Sequence, residues 1–173
     1  MKKYIEKNLS LFSFILIPII YLWDPNWLGF LEVKPFWPLF WLLPWSMLYG
    51  PINGLLVGLF LGIILDSLTF ESGLTHIPGL ILCGAWFGKL NVENNSLIGH
   101  LKYGLICSLG SLLCGTLFFC QIFIKHIFEL GIPFYEFGIK NIFAQVFITG
   151  LLAPFFCSII LRMFLHGVSI ILL

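Results

Sequence analysis

The sequence predicts an all-α fold, a polytopic transmembrane bundle of about six helices, and three observations carry that expectation. The chain has 173 residues, 60% of them hydrophobic and only 10% charged. Its mean hydropathy is +1.03. Soluble globular chains carry about 25% charged residues, and a chain this short has too little interior to hide so much Leu, Ile and Phe from water. The apolar residues also fall into runs near the roughly 20 needed to cross hydrocarbon, parted by short polar breaks. Lipid is the solvent that tolerates such a chain, and residues 1–173 read as one integral membrane domain.

The first helix is expected over Ser10 to Trp23, with Lys2, Lys3 and Lys7 before it. That arrangement has the look of a signal peptide, but no small-x-small cleavage site follows, so the segment reads as a retained helix. The second segment, Pro35 to Tyr49, is short and holds Pro35, Pro38 and Pro44. Pro35 suits a first turn, whereas Pro44 should kink the helix, and a re-entrant or tilted course is open. Gly50-Pro51 turns the chain into a third helix, Ile52 to Phe70. A fourth is expected over Leu74 to Leu90, a fifth over Leu97 to Ile124 and a sixth over Ile139 to Leu165, with a polar break at Asn91 to Ser96.

Cation placement sets orientation. A cytoplasmic N-terminus puts Lys2, Lys3, Lys7, Lys89, Lys102 and Arg162 inside and Lys34, Lys125 and Lys140 outside. Trp23 and Trp27 then flank the first outer loop as an aromatic belt. The net charge of +1 leaves no basic stripe to neutralise phosphates, which excludes nucleic acid as a partner.

A glycine ladder is the most informative feature: Gly50, Gly54, Gly58 and Gly62, each four residues after the last, with Asp66 at the next step. Residues four apart share a helix face, and a stripe without side chains lets another backbone come close. The stripe is either a helix-packing seam inside the bundle or a docking face for a partner. Asp66 is an acid at the end of an apolar helix, where a carboxylate is solvated, paired or functional. It reads as a solvated helix end or as a polar anchor to a partner helix or a loop N–H. Asp66, Glu71 and His76 stand five residues apart, which is not a helical metal-ligand spacing.

Trp37, Trp41 and Trp45 form a stripe down the second segment that reads as packing. Gly84 and Gly88, and Gly104, Ser108, Ser111 and Gly115, repeat the small-residue pattern on the fourth and fifth helices. Cys83, Cys107, Cys114, Cys120 and Cys157 lie in apolar stretches without C-x-x-C spacing and read as small hydrophobes. No nucleophile motif, phosphate-cradling loop or facing carboxylate pair is visible, so neither catalysis, a metal nor a cofactor is expected.

Residues 41–51 (WLLPWSMLYGP) and 53–66 (NGLLVGLFLGIILD), followed by Ile77-Pro78-Gly79, resemble the rod-shape-determining MreD family of the cyanobacterial type. The resemblance is concentrated in residues 23–90. It implies a non-enzymatic, multi-pass protein of the bacterial plasma (inner) membrane that binds an MreC-like protein. Through that partner it would couple MreB filaments to the peptidoglycan synthases of the elongasome and help control cell shape. The helix-packing or partner-docking residues would be Gly50, Gly54, Gly58, Gly62 and Asp66. Such chains are also similar to the substrate-binding subunits of energy-coupling-factor vitamin importers, so a small-molecule importer subunit is the alternative expectation.

Overall fold

The computed structural model describes residues 33–69, 75–90, 97–125 and 132–169, with side chains over 33–68, 75–90, 101–124 and 138–164. Within them the chain forms five helices: α1 (Trp37–Tyr49), α2 (Pro51–Thr69), α3 (Ile77–Phe87), α4 (Leu97–Lys125) and α5 (Ile132–Ser169). The helix expected over Ser10 to Trp23 lies outside the described residues, so the expected six stand as five described helices.

Among the described residues three stretches are long and apolar enough to cross a membrane: Pro51–Leu68, Leu101–Ile124 and Gly138–Phe164. The other two helices fall short. With a rise of 1.5 Å per residue, α1 is about 20 Å long and α3 about 17 Å, against a hydrocarbon core of about 30 Å. α3 is shorter than the stretch from Leu74 to Leu90 that hydropathy marks. Its start is set by His76 at the N-cap with Pro78 in the first turn, where a missing N–H costs nothing. At the other end the chain tightens, with Lys89 N–H donating to the Trp86 carbonyl and Leu90 N–H to that of Phe87. α5 begins seven residues ahead of its expected start, and Pro133 in the first turn suits that beginning for the same reason.

α1 is the centre of the bundle and touches all four other helices. It is apolar on every side, which is the mark of a buried helix, and Leu39, Leu42 and Leu43 are 0% exposed. Its N-terminal N–H, on Phe36, donates to Thr149 Oγ1 of α5 at 3.0 Å. Pro44 stays within the helix. Having no N–H, it deprives the Phe40 carbonyl of its i+4 donor. The thiol of Cys157, on α5, stands 3.7 Å from that oxygen and donates to it. The stripe of Trp37, Trp41 and Trp45 packs: Trp37 meets Phe156 edge-on, and Trp41 and Trp45 both meet Phe164 edge-on.

α4 and α5 form a long hairpin whose closest approach again uses small residues. Pro154 frees the Gly150 carbonyl within α5, and Gly104 of α4 lies against both: a Cβ there would be 2.8 Å from that oxygen and 3.0 Å from the proline ring. On the opposite side the helices present Leu101, Leu105 and Leu109 of α4, and Phe143, Phe147, Leu151 and Phe155 of α5, all more than half exposed. No more than 28% of any of the three spanning windows is buried in the bundle. An apolar surface of that extent is not stable in water, and it is compatible with a membrane helical bundle.

Candidate functional site: the glycine seam and its polar clasp

The glycine ladder on α2 faces α3. A Cβ on Gly54 would run into the carbonyl oxygen of Gly84 and lie 2.7 Å from Ser46 Oγ. One on Gly58 would strike the Leu80 carbonyl, and one on Gly62 would lie 2.7 Å from the Ile77 Cα. The fit is reciprocal, since Gly84 meets the Gly54 carbonyl and Gly88 meets Pro51. Two backbones therefore lie in direct contact along the whole of α3, with dispersion and close packing as the attraction. α3 fills the stripe and leaves no room there for a partner helix.

Gly50 plays another part. Nothing lies within 4 Å of where its Cβ would be, but its φ is +88° and its ψ 176°, a region that is essentially glycine's alone and costs an L-residue about 1–3 kcal/mol. It ends α1, its N–H donating to the Ser46 carbonyl at 2.9 Å, and lets Pro51 open α2. Its place in the four-residue ladder is a turn, although its backbone lies with Pro51 against Gly88.

Asp66 closes the other end of the seam. Its Oδ1 accepts the backbone N–H of His76 at 2.8 Å and stands 3.1 Å from His76 Nδ1. An anionic acceptor at the start of α3 also complements the helix dipole. The side chains of His76 and Asp66 are 16% and 21% exposed, so neither is a freely solvated helix end. The His76 ring is stacked on Phe118 of α4 at 4.4 Å and on Phe36 at 6.2 Å. Next to it, Gln121 of α4 holds Thr75 on both sides: the Thr75 N–H donates to Gln121 Oε1 at 2.9 Å and the Gln121 Nε2 donates to the Thr75 carbonyl at 3.0 Å. Residues 75–76 are thus clasped to α2 by a carboxylate and to α4 by an amide. Glu71, the third member of the acid–histidine series, lies outside the described residues.

The clasp and seam can hold α3 rigidly between α2 and α4, and among the described residues no reacting constellation is assembled there. Among the described residues no three His, Cys, Asp or Glu side chains converge as metal ligands would. Sequence reasoning passed over Gln121 and Thr149, because their roles exist only across helices 46 and 113 residues apart in the chain. The cysteines read as small hydrophobes in the sequence, and the fold gathers four of them into two pairs that the sequence does not show: Cys83 with Cys114, and Cys107 with Cys157. In a sequence, each is one more small apolar residue. No protein-family model, curated protein or solved structure matches the chain.

Proposed function

We propose that the chain is a non-enzymatic scaffold of the bacterial cell-wall elongation complex, set in the plasma membrane with its N-terminus in the cytoplasm. It binds an MreC-like protein, and indirectly serves MreB filaments and the peptidoglycan synthases. The resemblance of residues 23–90 to the MreD family is the ground for the identity of these partners. The observation that carries the scaffold reading is the use of the small residues. Gly54, Gly58 and Gly62 are filled by α3, so the bundle is stiffened from within and its broad apolar outer faces are left for lipid and partner helices.

An importer subunit would need polar side chains directed into a ligand cavity. Asp66, His76, Thr75 and Gln121 instead satisfy one another, which favours the scaffold over the importer. On the proposed orientation this clasp lies at the outer end of the bundle.

Depletion of the protein in a rod-shaped host, joined to affinity purification from mild detergent, tests the reading. Rounded cells and recovery of an MreC-like partner are expected, with vitamin uptake unchanged. Normal cell shape together with a co-purifying small molecule and impaired uptake would overturn it in favour of the importer.

A further inference from the structure

We propose that the two buried thiol pairs, Cys83–Cys114 and Cys107–Cys157, are sites for a soft monovalent d10 cation of the copper(I)–silver(I) class, one ion to each pair. The sulfurs stand 3.6 Å and 3.8 Å apart, and the four residues are between 0 and 7% exposed. One pair joins α3 to α4 and the other joins α4 to α5. Both have the same internal order. One sulfur faces a backbone carbonyl, Cys83 that of Gly110 at 3.6 Å and Cys157 that of Phe40 at 3.7 Å. The other sulfur, Cys114 or Cys107, is directed at its partner.

The number of ligands selects the class of ion. Among the described residues no third His, Cys, Asp or Glu joins either pair, whereas structural zinc takes four ligands. Thiolate sulfur is the donor that soft copper(I) prefers, and two such donors satisfy a d10 monovalent ion. Taking the zinc–sulfur length of about 2.3 Å as a guide, sulfurs on opposite sides of one ion stand about 4.6 Å apart. Each pair must then open by about 1 Å, a small adjustment of cysteine χ1.

Charge fixes the proton balance. An uncompensated charge at hydrocarbon depth is costly, so the loaded site is neutral: one monovalent ion, one thiolate and one thiol. The S–H bond of Cys114 or Cys107 breaks, its proton leaves to solvent, and a metal–thiolate bond forms on that sulfur. Cys83 or Cys157 coordinates as the thiol and keeps its proton on the carbonyl it already faces.

The test uses the full chain purified in detergent with the exposed Cys120 removed as Cys120→Ser, and silver(I) as a redox-inert probe. Two silver ions per chain are expected, each with two sulfur neighbours by X-ray absorption and each releasing about one proton. Cys107→Ala and Cys114→Ala each reduce the count to one, and the double variant retains none. These two positions spare the thiols that serve the carbonyls, and an unchanged melting profile confirms that the variants are folded. Should the alanine variants fail to fold, Cys107→Ser and Cys114→Ser, which keep the volume, take their place. No retained silver in the folded Cys120→Ser chain, retention unaltered in the double variant, or zinc bound in place of silver would overturn the proposal.

Discussion

Gly54 and Gly84 meet backbone to backbone across the α2–α3 seam, each occupying the place where the other's Cβ would have to go. Neither obstacle is a side chain that can swing away. Gly54→Ala or Gly84→Ala therefore forces the helices apart, with a cost of about 1–3 kcal/mol, the range for overpacking a close contact. Thermal unfolding in detergent measures it. Gly115→Ala is the control, because the atom it meets first, at 3.3 Å, is a methyl group of Ile142, and little change is expected. Gly58→Leu should in addition abolish partner recovery.

Gly50→Ala separates the two roles within the ladder. The site is open, so the whole expected loss of about 1–3 kcal/mol comes from the backbone conformation. Gly50→Asn should recover none of it in the same unfolding assay, because a ψ of 176° lies outside the left-handed helical region that asparagine tolerates.

The Asp66–His76 clasp makes a graded prediction. Asp66→Ala removes the acceptor of a partly buried backbone N–H and of the imidazole, at about 1–3 kcal/mol. Asp66→Asn retains a carbonyl acceptor for the N–H and should fall between Asp66→Ala and the parent chain. A melting temperature for Asp66→Ala equal to that of the parent would show the clasp to be idle.

Thr149 has a similar dependence at α1. Thr149→Val leaves the buried Phe36 N–H without its acceptor and should lower stability by about 1–3 kcal/mol, whereas Thr149→Ser should be near neutral. Cys157→Ala likewise orphans the Phe40 carbonyl that Pro44 leaves without a helical donor. The thiol is a weak donor, so the expected loss is about 1 kcal/mol, and Cys157→Ser restores the bond.

Hydropathy located α4 almost to the residue, because Lys125 and the polar break before Leu97 bracket one apolar run. It set the limits of α3 and α5 less well, since Pro78 and Pro133 favour the first turn of a helix for reasons of backbone geometry that hydropathy does not contain. The ladder at Gly54, Gly58 and Gly62 was legible as a close-approach face, but its occupant was not. α3 carries its own small residues, Gly84 and Gly88, yet only the fold shows them opposed. Asp66 was legible as a residue in need of a partner, and a loop N–H was among the expected ones. Gln121, Thr149 and the thiol pairs were not legible, because each acts on an atom far away in the chain. For Cys157 the signal was Pro44, whose missing N–H requires a donor from elsewhere.

The account rests on the outer faces of α2, α4 and α5 lying against hydrocarbon while the glycine seam is closed inside. Nitroxide labels on cysteines placed one at a time at Leu59, Leu109 and Leu151, in the Cys120→Ser chain reconstituted in lipid, test this most directly. The expected result is strong relaxation by dissolved oxygen and weak relaxation by a water-soluble nickel chelate at all three positions. Ready access of the nickel chelate to these sites would place them in water and contradict the account.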